Sequence, residues 1–147
     1  MHLLSVLRRR HGDSFDAGII NGPKGKGTLV ELGPDHLSFT FIGTDEPPPV
    51  DPITLLIGLP RPQTARKILQ ETTTLGVAAL HFVRTAKGEP SYADSSLWHS
   101  LEWRRHVTAG AAQAFCTQVP IVSHGQSLPE TINLLPAGGN RIALDNY

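Results

Sequence analysis

Cysteine is nearly missing from this chain: Cys116 is the only one in 147 residues. That excludes an internal disulfide and any metal site built from several cysteines, and nothing points to an oxidising compartment. Long apolar runs are missing too. None approaches the roughly 18 residues of a membrane span, and the N-terminus has no apolar stretch followed by a small-residue cleavage site, so no membrane partner and a cytoplasmic location are expected. Nor is either charge in excess, since 13 Lys and Arg balance 13 Asp and Glu. Net charge therefore says nothing about an acidic partner, and only local clustering can. What is present is a globular composition, 39% hydrophobic and 18% charged, without low-complexity tracts or an internal repeat.

The pattern changes once along the chain. Residues 44–52 read TDEPPPVDP, where prolines remove backbone donors and favour extended structure, so this stretch is expected to link two modules, 1–43 and 53–147. In the first, Ser14 to Ile20, Thr28 to Leu32 and Leu37 to Phe41 are strand-like and are separated by the turn signals Asn21-Gly22-Pro23 and Gly33-Pro34-Asp35. Leu37, Phe39 and Phe41 alternate with Ser38 and Thr40, which predicts one buried and one wet face. His2 to Arg9 predicts a short helix with a basic C-terminal end.

In the second module the continuous apolar run Ile53 to Leu59 predicts a strand covered on both faces. A helix is predicted over Gln63 to Leu75, stopping at Gly76, then a strand over Val77 to Val83, a helix over Ser96 to Phe115 with Phe115 turned inward, and a third strand over Val119 to Val122. Ser127-Leu-Pro-Glu130 has the spacing of a capping box at a helix start. Arg141 to Asp145 predicts a fourth strand. Strands alternating with helices imply βαβ units, a parallel sheet and helices on both of its faces.

Few residues point to chemistry. Gly22-Pro-Lys-Gly-Lys-Gly27 invites a phosphate-loop reading, but it joins two strand-like segments and lacks the Gly-Lys-Ser/Thr ending, so a basic hairpin loop is the better account. The seven histidines are scattered and no pair stands at the helical spacing that clamps a metal, so no metal is expected. Cys116 has no visible histidine partner and reads as a small buried apolar residue. No covalent or acid–base site stands out, and the catalytic residues stay unassigned. The remaining signal is a basic cluster within the first thirty residues: Arg8, Arg9 and Arg10, then Lys24 and Lys26. Three arginines at a helix end also suit a plain solvated face. A small β module with cationic loops beside a neutral remainder favours phosphate contacts on one side of the molecule, so these five are the candidate RNA-binding residues.

Three ordered segments carry a resemblance. His2-Leu-Leu-Ser-Val-Leu-Arg8 with Gly12-Asp13, Leu69-Gln-Glu-Thr-Thr-Thr-Leu-Gly-Val77, and Trp103 through Ala109 with Gln113 and Val119-Pro120 resemble the RsmE-type small-subunit ribosomal RNA (uracil-N3)-methyltransferases. That resemblance implies an α/β protein: a small PUA-like β module, incomplete here, then the N-terminal part of a SPOUT-type parallel α/β domain. It implies S-adenosylmethionine as methyl donor, ribosomal RNA as substrate and a homodimer in the complete protein. The family usually has Lys at Glu71, Glu at Thr74, Glu at Ala112 and Arg at Cys116, so charge has been lost or reversed in this chain. The family's donor-binding glycine loop is expected beyond Tyr147. The isolated chain is therefore expected to be inactive and not to bind the donor alone, with Asp145 and Asn146 at the edge of the donor pocket in the complete protein. The alternatives are an RNA-binding module without catalysis and a small doubly wound nucleotide-binding or regulatory domain. Against the last stands Pro60-Arg61-Pro62, where a glycine-rich dinucleotide loop would follow the strand.

Overall fold

The computed structural model describes residues 10–144. The expected opening helix, with Arg8 and Arg9, lies outside the described residues, as do Asp145 and Asn146. Strands β1 (Ser14–Gly18), β2 (Lys24–Leu32) and β3 (Leu37–Asp45) form an antiparallel sheet in that order. Gly27 sits opposite both Phe15 and Phe41, and a Cβ there would stand 2.5 Å from the ring of Phe15, so the missing side chain makes room for an aromatic. Phe15 in turn meets the edge of Phe39, with ring centroids 5.3 Å apart. With Leu29 almost fully buried, these residues form the small core of the first sheet. The alternation along β3 holds in phase, yet Phe39 remains 47% exposed, because so small a sheet covers its inner face only in part.

Gly22-Pro-Lys-Gly-Lys-Gly27 is not a loop. The turn is confined to Ile19–Pro23, where the Gly22 N–H donates to the Ile19 carbonyl at 2.8 Å, and Lys24 already pairs with Gly18 on β1. Asn21 takes the left-handed conformation, φ 57°, that asparagine tolerates better than most residues.

The second sheet is parallel and consists of β4 (Asp51–Gly58), β5 (Val77–Arg84) and β6 (Ile121–Ser127), with β5 in the centre. Val77, Ala79, Leu80, Phe82 and Val83 of β5 are buried, as befits a strand covered on both faces. The expectation that β4 is such a strand is corrected. It is an edge among the described strands, and Ile53 is half exposed. A continuous apolar run cannot tell a central parallel strand from an edge one. β6 runs from Ile121 to Ser127, later than expected. The residues 141–144 form no strand, against the expected fourth one, and Leu144 is almost fully exposed.

Helix α1 (Pro62–Thr74) starts with Pro62 in its first turn and buries Ala65, Leu69 and Thr73, one turn apart. It ends at Gly76, whose φ of 80° suits glycine. The predicted helix over residues 96–115 is broken into α2 (Ser96–His99) and α3 (Trp103–Gln113), with Leu101 at φ 59° between them. In one unbroken helix turning about 100° per residue, Trp98 and Val107 would stand about 180° apart. The break puts both into a single core with Leu69, Leu80, Phe82 and Leu97. The ring of Trp98 packs 5.0 Å from Phe82 and stacks on His124 at 4.7 Å, while its N–H donates to the Tyr92 carbonyl at 3.1 Å.

Helix α4 (Leu128–Leu134) has the expected capping box: the Glu130 N–H donates to the Ser127 hydroxyl and the Ser127 N–H to the Glu130 carboxylate at 2.8 Å. These bonds hold the Glu130 carboxyl below its usual range, first through the Ser127 side chain.

Candidate functional site

A cleft of about 470 Å³ lies between the first sheet and the end of α3. One wall comes from the hairpin end of the first sheet, with Asp16 and Gly18 on β1, Lys24 and Lys26 on β2, and Thr44 and Asp45 on β3. Lys24 and Lys26 are two residues apart on one strand and so share a face. The opposite wall is the C-terminal end of α3 and the segment after it, with Ala112, Phe115, Cys116 and Thr117. Lys26 donates to Asp16 at 2.6 Å, both side chains being largely exposed. Such a pair adds little to stability. Lys24 makes no ion pair among the described residues.

Three hydrogen bonds fix the walls to each other. The Asn21 N–H donates to the Thr117 carbonyl at 2.8 Å, the Thr117 hydroxyl to the Gly22 carbonyl at 2.6 Å, and the Val119 N–H to the Asn21 side-chain oxygen at 3.0 Å. Gly18 completes the fit, since a Cβ there would collide with the Thr117 methyl. Across the second module, Arg66 of α1 donates to both carboxylate oxygens of Glu102, at 2.7 and 3.1 Å, and His106 of α3 lies 3.3 Å from the same carboxylate. The Arg66 hydrogen bond first, and then that of His106, lower the Glu102 carboxyl to about 2. This cluster ties α1 to α3 and does not line the cleft. His81 of β5 bonds the Ser123 hydroxyl of β6 at 2.6 Å, and burial pushes the imidazoles of both His81 and His124 below their ordinary value.

Of the five residues singled out for RNA, the fold brings Lys24 and Lys26 together in the cleft. Arg10 is exposed just before β1, its N–H on the Asp13 carboxylate at 2.8 Å, and Arg8 and Arg9 lie outside the described residues. Sequence reasoning missed Phe115. It was expected inside and is 76% exposed, at φ 51° just past the end of α3. An aromatic two residues past the last helical residue, where glycine or asparagine is the rule, was the signal to follow. Ala112 and Cys116, two of the positions at which charge departs from the resembled family, both line the cleft. Among the described residues no group of three or more histidine, cysteine or acidic side chains is arranged to hold a metal, and no helix is long and apolar enough to cross a membrane.

A family model described as RNA methyltransferase domain matches residues 46–146. The chain belongs to this RNA methyltransferase family. The doubly wound nucleotide-binding alternative falls with that match, and the resemblance read from the three sequence segments holds. The chain is 35% identical over 128 residues to the ribosomal RNA small subunit methyltransferase E of Treponema pallidum, a match covering 86% of this chain and 48% of that protein. It is 27% identical over 135 residues to ribosomal RNA small subunit methyltransferase E 1 of Borreliella burgdorferi, covering 91% of this chain and 56% of that one. The chain thus spans about half the length of these curated relatives. In structure it is similar to the ribosomal RNA small subunit methyltransferase E of Neisseria gonorrhoeae bound to S-adenosylmethionine, with a TM-score of 0.73, 20% identity, and coverage of 92% of this chain and 56% of that one. At that identity the likeness concerns the fold, a three-stranded antiparallel sheet followed by a parallel α/β unit.

Proposed function

We propose that this chain is the RNA-holding part of a small-subunit ribosomal RNA methyltransferase of the cytoplasm, and that the RNA lies along the cleft between its two modules, whose linker is shorter than the expected 44–52 because residues 44–45 belong to β3 and 51–52 to β4. The observation that carries this reading is the placement of Lys24 and Lys26 on one face of β2, opposite the end of α3, in a chain of this family. Lys24 is the cation best placed for a phosphate, because Lys26 already holds Asp16. The exposed Arg10, together with Arg8 and Arg9, remains a candidate for phosphate contacts in this reading.

S-adenosylmethionine is the methyl donor this reading requires, and it supplies the transferred methyl group when bound. Neither of the two cavities described suits it. The cleft opens between the modules, and a second cavity lies against Lys67, Gln70 and Glu71 of α1 and Gln113 of α3. Neither stands at the carboxyl ends of β4, β5 and β6, where open α/β sheets take their ligands. No transfer step is assigned to side chains of this chain. Pairing with a second copy is part of the same reading, and sedimentation of the full protein tests it: a monomer with RNA activity intact would remove it.

The RNA reading is tested by titrating labelled fragments of small-subunit ribosomal RNA against salt. The Arg9→Ala, Arg10→Ala double variant and Lys24→Ala are expected to weaken binding to all fragments alike. For every cation that no longer neutralises a phosphate, the salt dependence should flatten by about 0.7 to 0.9 in slope. If neither variant changes affinity or slope, these cations are only a solvated face and the reading fails.

A further inference from the structure

Phe115 is the one aromatic ring lining the cleft, and it has no aromatic partner among the described residues. It is 76% exposed and is held at φ 51°, a left-handed conformation that bulky residues rarely adopt. A large apolar side chain in that backbone state, left in water, costs the fold twice and returns no core packing. Strain of this kind collects where a side chain must be presented to a ligand.

The rest of the cleft says what that ligand is. Around the ring stand Lys24, Asp16, Asp45 and Thr117. An apolar peptide would bury Lys24 and Asp45 without partners. A nucleotide matches them part by part: its base has a π face for the ring, its edge has N–H donors for a carboxylate, and its phosphate suits the ammonium of Lys24. The volume of about 470 Å³ is of the right order for such a ligand. Only an unpaired nucleotide offers its base in this way, which selects single-stranded over helical RNA.

We propose that Phe115 is a stacking platform for one unpaired base of the RNA, with Lys24 on the phosphate side of that nucleotide. This rests on the RNA reading above and adds to it the strand state of the substrate and the residue that selects it.

The test is fluorescence anisotropy with the full chain, using a labelled oligouridylate and the same sugar–phosphate strand without bases. Phe115→Gly accepts the left-handed backbone without strain and so keeps the fold, while Phe115→Leu keeps apolar bulk but no π face. Both are expected to lose on the order of 5- to 100-fold in affinity for the base-bearing strand. Phe115→Tyr should stay within about twofold of the wild type, as its ring presents the same stacking face. The baseless strand should bind all four proteins equally, and the salt slope should not change, since no charge is removed. If the wild type binds the oligouridylate and Phe115→Gly or Phe115→Leu binds it as well, stacking is wrong while the RNA reading stands. An equal loss on the baseless strand, or a wild-type dimer that Phe115→Gly turns into a monomer without effect on RNA, also overturns the platform. If the wild type binds neither strand, the RNA reading itself falls and takes this proposal with it.

Discussion

Gly110 has no side chain, and this lets α3 lie directly against α1. A Cβ there would stand 2.9 Å from the Thr73 Cβ and closer still to the Gln70 carbonyl oxygen. The Thr74 hydroxyl uses the same proximity, donating to the Gly110 carbonyl at 3.2 Å as well as to Gln70 in its own helix. Gly110→Ala improves helix propensity in isolation, but here it must push two helices apart. It is expected to lower stability by about 1–3 kcal/mol, as over-packing does, and urea unfolding should show a lower midpoint at unchanged slope. A midpoint that rises would mean that the helices yield freely. Side chains of this kind mark how far residues can be read in advance. Asn21-Gly22-Pro23 announced its turn because asparagine, glycine and proline each restrict the backbone locally. Gly27 and Gly110 announced nothing, since what they make room for, Phe15 in one case and α1 in the other, arrives from elsewhere in the chain. Lys24 and Lys26 are legible as a basic pair but not as strand residues, because a glycine at every second position hides strand alternation.

At the scale of elements, Arg66, Glu102 and His106 decide how α1 and α3 respond to acid. The Glu102 carboxyl is lowered to about 2 in the folded protein from an ordinary value of 4.5, by Arg66 first. A lowered carboxyl stabilises the fold above its unfolded value, and that contribution is lost as the pH falls from 4.5 towards 2. The lowered imidazoles of His81 and His124 act in the same direction at higher pH, because below 6.5 the unfolded chain takes up protons that the partly desolvated rings resist. Thermal unfolding followed down the pH scale should therefore show two declines, and Glu102→Gln should make the lower one shallower, leaving the part that the lowered Glu130 carboxyl contributes. An unchanged acid limb in that variant would show that the cluster is not coupled to folding. The elements themselves were mostly legible. Apolar runs and helical stripes fixed β5 and α1, and Ser127 with Glu130 marked the start of α4. The break at Leu101 was not legible, because each half has a regular apolar pattern and only the demand for one shared core at Trp98 and Val107 separates them.

For the whole molecule, the two sheets and their order followed from the switch between period-two alternation and β–α alternation. The cleft did not, because it depends on bonds between residues far apart in the chain. The Thr117 hydroxyl reaches back 95 positions to Gly22, and the Val119 N–H reaches back 98 to Asn21. Each sheet closes on nearer contacts, so loop-closure entropy places the Asn21 bonds at the end of the route to the native state. Bonds absent from the transition state govern how fast a protein comes apart rather than how fast it forms. Asn21→Gly keeps the left-handed turn and deletes the side-chain acceptor. In stopped-flow experiments it should unfold several-fold faster while refolding at the wild-type rate, and a slower refolding limb would place the bond in the nucleus instead. The hydrogen bonds that shape the cleft thus also serve as a clock: they set how long the two walls stay facing each other once they have met.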